Sequence, residues 1–481
     1  MIRNRLLLLL AAVSLTAASC GSRDGDVLEI RSEADLSGLT LSCSSGNYYE
    51  HKYSARKDLS LFVTNSEADA VQAVRQGLAD VFVTDEVALS GDRLKELGMK
   101  KAFRGEDAFD VAYAVRKGDA KLLEQLNAFI TSAKADGTLD AVISHWVEGT
   151  EAVPFPDGGE TSGEPLRCVL CINIAPASFL GDGGRWDGMD PEIIRRFARW
   201  AGRSVEFVYQ DLGSGIIALQ TGQADVIASC LFVTEERKKS VDFSTPYYVC
   251  HPGFFVRDHA QGGGAGLIDR LQANLVTEGR WKLITSGLLE TLKITLFAIL
   301  LGTVLGAAVC AMLRSRRRWI RRLAELYGAF IQGIPTLVLL LIMFYVVFAH
   351  AGFSGTAVAI VTFALCFAWS SGSIFHTAIS SVPKGQTEAG LSLGFTPLKT
   401  FTGIVFPQAL QKALPLYSGE CVSLLKSTSI VGYIAIMDLT RASDLIRSRT
   451  FDALIPLLII TVVYFILAWL IRLLLNLFLK K

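Results

Sequence analysis

Hydrophobic positions divide the chain into two parts of different character. Residues 21–282 alternate short apolar runs with polar stretches, whereas residues 283–481 hold nearly all of the long apolar runs. The long runs are Leu288–Leu313, Tyr327–Phe348, Ala357–Ile379, the less apolar Tyr417–Met437, and Leu454–Leu479. Each is about the length that a helix needs to cross ~30 Å of hydrocarbon. The pattern predicts a soluble part followed by an all-α membrane domain of five helices.

The soluble part shows the patterns of short strands and amphipathic helices in alternation. Leu166–Ile174 and Val205–Tyr209 are typical of strands, and Asp190–Ala201 is typical of a helix. This order predicts a doubly wound α/β lobe, and a similar pattern occurs within residues 27–150. We therefore expect a two-lobed α/β domain before the membrane helices.

Charge gives the membrane part an orientation. A cluster of arginines, Arg314 to Arg322, follows the first apolar run, and lysines follow the third and the last. Positive residues stay on the cytoplasmic side of a membrane, so the α/β part is predicted outside and the C-terminus inside. The net charge of +1 gives no general attraction to nucleic acid.

The first 20 residues have the composition of an export signal. Arg3 and Arg5 precede the apolar run Leu6–Val13, and small residues follow it. Ala17-Ala18-Ser19 suits an ordinary signal peptidase, while the following Cys20 suits a lipoprotein signal. Both remain open.

Five cysteines fall in the α/β part, an odd number that does not suggest a disulfide framework. Cys168 and Cys171 form a C-x-x-C, but strand alternation would place them on opposite faces. They are interpreted as small buried hydrophobic residues rather than as a redox or metal pair.

Two stretches of the α/β part resemble polar amino-acid-binding proteins of solute-binding family 3. The string T-x-E-R-K-x-x-V-D-F-S-x-P-Y, from Thr234 to Tyr247, resembles lobe one of that family. Asp35–Leu41, Ser45-Gly46 and Val74–Asp85 resemble lobe two, and Asp136–Leu139 with Trp146 resembles its closing helices. The family order is lobe one, lobe two and closing helices, so this chain has the lobes in reverse.

A circular permutation accounts for that order, since chain ends that lie close together tolerate it. It predicts lobe two and closing helices in 27–150, a linker in 151–164 and lobe one in 165–258. A second linker or interfacial segment would cover 259–282, with the membrane domain in 283–481. Two degenerate half-domains are the alternative.

The resemblance implies a site for the two charges of an amino acid. Arg237 occupies the family position that holds the ligand carboxylate, and Asp85 the position that meets the ammonium. Backbone donors near Ser229, Cys230 and Phe232, and near Gly46, Asn47 and Tyr48, would complete the clamp. The ligand stays open among glutamine, histidine, arginine, glutamate and a non-amino acid. No charged residue is an obvious partner for a charged ligand side chain, which favours a neutral one.

The loop after the third apolar run carries the most specific motif. It consists of Glu388-Ala389-Gly390, then Gly394, then Ile404 to Pro407. Spacing and residues resemble the cytoplasmic loop of ABC importer permeases, in the polar amino-acid branch. In that family Glu388 and Gly394 would define the helices that dock on the ATPase.

The chain has no G-x-x-x-x-G-K-[S/T] phosphate loop, so the ATPase is expected to be a separate subunit. The resemblance implies a substrate-binding and permease subunit of an ATP-driven amino-acid importer. It would be a homodimer in lipid, would contact no nucleic acid, would hold no cofactor or metal, and would be no enzyme itself. A ligand-gated channel or sensor is the rival, but it would not need an ATPase-docking loop.

Overall fold

The computed structural model describes residues 29–89, 92–155, 163–171, 175–181, 185–210, 212–258, 266–349 and 352–479. The predicted export signal with Cys20 lies outside these ranges. The chain divides into two compact units. The first unit holds most of the α/β part together with the short segment Ile446–Ala453, and the second holds the helical part together with Val208–Ala224.

One mixed five-stranded sheet carries the residues predicted as lobe two. Its strands run in the order β2-β1-β3-β14-β4. They are β1 (Thr40–Ser44), β2 (Ser60–Thr64), β3 (Val81–Asp85), β4 (Met99–Arg104) and, from much later in the chain, β14 (Pro252–Arg257). β1 is parallel to β2 and β3, while β14 is antiparallel to β3 and β4. The helices of this part are α1 (Tyr48–Ser54), α2 (Glu67–Arg75) and α3 (Asp92–Leu97).

A second five-stranded sheet carries the residues predicted as lobe one, in the order β10-β7-β11-β6-β12. Its strands are β7 (Gly163–Leu170), β10 (Arg203–Tyr209), β11 (Val226–Ile227), β12 (Val241–Phe243) and, from much earlier, β6 (Ala114–Arg116). A two-stranded ribbon of β8 (Phe179–Leu180) and β9 (Trp186–Asp187) precedes α6 (Met189–Trp200), and α7 (Leu212–Gln220) follows β10. We keep the names lobe two and lobe one for the parts around these two sheets.

The chain passes between the two sheets twice. β5 (Phe109–Val111) leads from β4 to β6, and β13 (Tyr248–Cys250) leads from β12 to β14. β5 and β13 pair antiparallel, with Tyr248 opposite Val111. Each sheet is therefore completed by a strand that the other lobe's segment supplies.

Two helices follow β6, and they return to lobe one. They are α4 (Ala120–Ala135), which the side chain of Asp119 caps, and α5 (Thr138–Glu148). The indole nitrogen of Trp146 on α5 donates to Glu192 Oε2 on α6 at 2.6 Å. Arg196 binds Glu192 and also donates to the carbonyls of Val153 and Pro154. The segment after α5 is thus held to lobe one.

Within the described ranges, three helices are long and apolar enough to cross a membrane: Thr277–Leu313, Gly355–Ser380 and Leu454–Leu475. Up to five spans result if each of two bent helix pairs counts as one. The prediction of Tyr327–Phe348 as one continuous helix is wrong, because the chain bends by 102° between Arg318–Gly333 and Thr336–Val347. Pro335 stands at the break, where its ring restricts the preceding residue to extended conformations.

α8 (Leu267–Leu275) belongs to the first unit, and the helices that follow it are α9 (Trp281–Leu313), α10 (Arg318–Gly333), α11 (Thr336–Ile342), α12 (Gly355–Ser380), α13 (Lys384–Ser392), α14 (Pro397–Thr400), α15 (Phe406–Ser427), α16 (Leu439–Thr450) and α17 (Leu454–Leu479). The last residues of α16, from Ile446, are part of the first unit. Small residues let α9 and α12 approach closely. A Cβ at Gly306 would lie 2.1 Å from Ser371 Oγ, and one at Gly302 would lie 2.9 Å from the Ala364 carbonyl oxygen. Such close packing is the usual basis of association between apolar helices.

Candidate binding cleft and docking loop

The two charged residues predicted for the cleft come from different lobes. Asp85 ends β3 in lobe two, and Arg237 begins the short helical turn Arg237–Lys239 in lobe one. Burial raises the pKa of Asp85 to about 6, while the hydrogen bond from Tyr49 and the charge of Arg237 act to lower it. The Tyr49 ring, whose hydroxyl binds Asp85, meets the ring of Phe232, whose carbonyl binds Arg237, so both charged residues lie next to the same pair of rings.

Each member of the pair is held within its own lobe. The Tyr49 hydroxyl donates to Asp85 Oδ1 at 2.8 Å, and Arg237 Nη1 donates to the carbonyl of Phe232 at 3.0 Å. Burial lowers the pKa of Arg237, whereas nearby Cys171 and Asp85 raise it. Cys171 is half-buried, so its interpretation as a buried hydrophobic residue is wrong, whereas Cys168 is fully buried. Cys171 follows the last residue of β7 and so lies beyond the part of the strand that the sheet covers.

Aromatic rings from both lobes meet beside the charged pair. Phe232 of lobe one stacks on Phe109 of β5 with ring centroids 4.8 Å apart. The ring centroids of Tyr48 and Phe109 are 4.4 Å apart, and the Tyr49 ring meets the Phe232 ring edge-on with centroids 6.1 Å apart. A ligand between the lobes would therefore have an apolar wall next to two opposite charges.

Several of the predicted backbone donors have partners of their own in this structure. The Cys230 N–H donates to Asp190 Oδ2 at 2.7 Å, and the Gly46 N–H donates to Glu50 Oε2 at 2.6 Å. Asn47 caps α1 by accepting from the Glu50 N–H. Ser229 is buried, with its hydroxyl donating to the Ala228 carbonyl.

Two carboxyl groups near the cleft have no motif in the sequence that indicates them. Asp190, at the start of α6, accepts from the Cys230 N–H and from the hydroxyls of Tyr113 and Tyr247. Burial raises its pKa to about 6 against these hydrogen bonds. Glu67, at the start of α2, accepts from the Thr84 hydroxyl at 2.9 Å, and burial and the Asp85 charge raise its pKa to about 7. The one sequence feature that Asp190 and Glu67 share is a place in the first turn of a helix, where a carboxylate is favourable.

The motif loop forms two short helices joined by a tight turn. Glu388, Ala389 and Gly390 lie on α13, Gly394 forms the turn with a φ of 81°, and Ile404 and Pro407 follow α14. A Cβ at Gly390 would lie 2.6 Å from Thr400 Cγ2 and 2.9 Å from Ile404 Cδ1, so the two arms of the loop touch at this glycine. Glu388, Ala389 and Pro407 are exposed.

Large apolar side chains project from the same loop. Leu393 is 75 % exposed and Leu398 is 71 % exposed, with Leu391 and Phe395 exposed beside them. So much apolar surface on one short loop is typical of a contact surface for another protein.

The helical unit also contains a cavity of about 460 Å³ with a polar side. Its lining includes the helix break at Ile334-Pro335, the rings of Phe367 and Trp369, and Glu420 on α15. A charged residue within a membrane helix is costly unless it faces water or a polar partner, so such a position indicates a functional path. Among the described residues, no three His, Cys, Asp or Glu side chains are grouped so that they could hold a metal ion.

Comparison with known proteins gives matches to both parts of the chain. The model for "Bacterial extracellular solute-binding proteins, family 3" matches residues 166–391, a range that begins on β7 and does not include β1 to β4. A crystal structure described as an amino acid ABC transporter with histidines is 30% identical, with a TM-score of 0.39, over 44% of this chain and 97% of that one.

Curated relatives described as permeases match about two fifths of the chain. The L-cystine transport system permease protein TcyB of Bacillus subtilis is 30% identical over 202 residues, which are 42% of this chain and 86% of the relative. The probable amino-acid ABC transporter permease protein YckA of the same species is 33% identical over 183 residues, or 38% and 80% of the two chains. A putative glutamine transport system permease protein GlnP of Rickettsia typhi is 28% identical over 200 residues, or 41% and 92%.

Proposed function

Because the chain belongs to the family of amino-acid ABC transporter permeases and carries a family 3 solute-binding domain, we propose that it is a combined substrate-binding and permease subunit of an ATP-driven amino-acid importer. The α/β part captures the amino acid outside the membrane. The helical part passes it across the cytoplasmic membrane.

The observation that supports this proposal is that Asp85 of lobe two and Arg237 of lobe one lie next to the same group of aromatic rings, between lobes that β5 and β13 connect. An α-amino acid presents an ammonium and a carboxylate a few ångströms apart, and these two side chains are the complementary partners. Since they stand on different lobes, a ligand that binds both would favour the closed arrangement of the lobes over the open one.

We propose that the binding domain is a single circularly permuted unit rather than two degenerate half-domains. The exchange of strands supports this. β14 completes the lobe-two sheet and β6 completes the lobe-one sheet, so neither half of the sequence has a full sheet by itself. In a circular permutation the strands keep their partners although the chain starts at another strand. A domain that begins with β1 of lobe two and ends with β14 can therefore have the same strand pairs as a domain that begins with lobe one.

The docking loop supports a partnership with a separate ATPase. Its exposed leucines and Phe395 would contact that subunit, and the packing of Gly390 on Thr400 would keep the two arms rigid enough to transmit its motion. The 460 Å³ cavity with Glu420 would lie on the path of the amino acid. Two copies of the chain with two ATPases form the simplest complex.

Purification of the full chain with its ATPase, followed by calorimetry with a panel of L-amino acids, tests the proposal. We expect one or a few amino acids to bind and to stimulate ATP hydrolysis by the complex. An isolated chain that binds no amino acid, or a complex whose ATP hydrolysis ignores the bound amino acid, would contradict it.

A further inference from the structure

A phenylalanine from the segment between α16 and α17 lies in the hydrophobic core of lobe two. Phe451 is 1% exposed and belongs to the same buried cluster as Val71 and Val74 of α2, Phe82 of β3 and Phe255 of β14. Its φ is 52°, a left-handed conformation that a bulky residue adopts only when surrounding contacts hold it there. The segment Ile446–Ala453 is thereby a structural component of the unit that contains lobe two.

Buried polar contacts hold the next residue to the helix that leaves lobe two. α8 begins ten residues after β14 ends at Arg257. Arg270 of α8 binds Asp452 through two hydrogen bonds, at 2.9 and 2.7 Å. Asn274 donates to Asp452 at 3.0 Å and accepts from the Thr450 hydroxyl at 2.9 Å. Asn274 and Asp452 are buried, and a buried pair of this kind is costly to separate because each partner would be left without its hydrogen bonds.

A further ion pair fixes the segment to the surface of lobe two. Arg447 binds Asp69, which lies in the first turn of α2. Phe451 shares a buried cluster with Val71 and Val74 of the same helix. Core packing, the Asp452 cluster and the Arg447 ion pair therefore all hold Ile446–Ala453 to one lobe.

One contact of this segment with lobe one is of a different kind. The Arg449 guanidinium lies 4.3 Å from the centroid of the Phe179 ring on β8. Both side chains are half-buried, and a cation over a ring that water can reach is a weak attraction. It can break and reform far more easily than a buried phenylalanine can leave a core.

We propose that Ile446–Ala453 is a permanent part of lobe two and a reversible contact of lobe one, so that Arg449 and Phe179 meet only when the cleft is closed. The inference rests on the proposed function. Rotation about β5 and β13 moves lobe one over the amino acid and brings Phe179 onto Arg449. The segment connects α16 with α17 in the sequence. Closure of the cleft therefore changes a contact of the segment that joins these two helices.

Two matched pairs of engineered cysteines test this in the full chain in lipid nanodiscs, on a Cys171→Ser background. One pair is Phe179→Cys with Arg449→Cys, and the control pair is Asp69→Cys with Arg447→Cys. A short bifunctional maleimide is added with and without an equimolar mixture of the proteinogenic L-amino acids. We expect the mixture to accelerate cross-linking of the first pair several-fold and to leave the control pair unchanged.

A first pair whose cross-linking ignores the mixture overturns the inference, as does a control pair whose cross-linking follows it. The thermal stability of the parent chain, measured with the same mixture, separates the two proposals. A stabilised parent chain with an unresponsive first pair contradicts only the reversible contact. A parent chain that the mixture does not stabilise contradicts amino-acid binding itself, and the inference falls with it.

Discussion

Asp85 and Arg237 are each half-buried, and each is held by one neighbour, Tyr49 and the Phe232 carbonyl respectively. Their charges therefore act in a medium less polar than bulk water, where a matching ligand charge is worth more than it is in bulk water. The same shielding makes an unmatched charge costly. The cleft should consequently respond sharply to the loss of either residue and to the protonation of Asp85.

Removal of either charge should weaken amino-acid binding strongly. We expect Arg237→Ala and Asp85→Asn each to cost about 2–5 kcal/mol, because the partner charge on the ligand is left buried and unpaired. This corresponds to a roughly thirty-fold to several thousand-fold weaker Kd by titration calorimetry. Lys238→Ala and Glu86→Gln are the matched controls, since these neighbours form ion pairs with Glu235 and with Lys101 and Arg104 instead. Unchanged affinity in Arg237→Ala would contradict the assigned cleft.

Acidification should weaken binding through Asp85. Its pKa is about 6 in the ligand-free cleft, and only the ionised carboxylate attracts an ammonium. Affinity should therefore be constant well above pH 6 and fall toward about tenfold per pH unit below it, since one pKa unit corresponds to that factor. Glu67 has a pKa of about 7 and could also titrate in this range. The variant Glu67→Gln separates the two groups, because it should keep the pH dependence that Asp85 causes. Persistence of the full pH dependence in Asp85→Asn would assign it to another group.

At the scale of single residues, the two charged residues could be predicted from the sequence, but the hydrogen-bond partners around them could not. Arg237 and Asp85 stood at motif positions, so a resemblance could place them. The partners of Cys230 and Gly46 could not be found, because Asp190 is forty residues from Cys230 and the Glu50 side chain turns back from the first turn of α1 to reach Gly46. Which N–H groups are already satisfied depends on tertiary packing, and no local pattern records it.

Single helices and loops were predicted well where one physical cause controls them. Strand and helix patterns for 205–209 and 190–201 correspond to β10 and α6 within a residue or two. The second apolar run shows what hydropathy cannot predict. A hydropathy profile gives the length and polarity of a run but not the direction of its helix axis. The bend of 102° at Ile334-Pro335 leaves the run just as apolar as a straight helix would.

Gly390 should be indispensable to the docking loop. A valine there would overlap Thr400 and Ile404, with a cost of about 1–3 kcal/mol for overpacking and a displaced arm. We expect Gly390→Val to lose ATP-driven uptake while amino-acid affinity is kept. Gly385→Val is the control on the same helix, because nothing lies within 4 Å of its added Cβ. Equal uptake in the two variants would show that the loop is not the site of coupling.

The whole molecule depends on a sheet exchange that the order of motifs predicted only indirectly. Reversed lobe motifs suggested a permutation, but the pairing of β6 with β11 and β12, and of β14 with β3 and β4, emerges only in three dimensions. The segments 114–116 and 252–257 are too short for their sequence patterns to predict which sheet they join. The insertion of Phe451 into lobe two was likewise invisible in the sequence, since an apolar residue between two membrane-length patterns could equally face lipid or a neighbouring helix.

Accessibility of engineered cysteines in intact cells tests the predicted topology. On a Cys171→Ser background, Phe353→Cys should react with a membrane-impermeant maleimide, and Thr387→Cys should react only after the membrane is made permeable. Both positions are exposed in the structure, so burial does not account for a difference between them. Labelling of Thr387→Cys from outside would reverse the orientation of the docking loop.

Uptake of a bound amino acid into proteoliposomes is the most direct test of the central claim, that one chain captures an amino acid and passes it through its own membrane helices. The full chain is reconstituted with its ATPase, with ATP in the lumen and the labelled amino acid outside. We predict accumulation that requires both ATP and the ATPase and that is lost in Arg237→Ala. Uptake by the chain alone, or ATP-driven accumulation that Arg237→Ala leaves intact, would contradict the account.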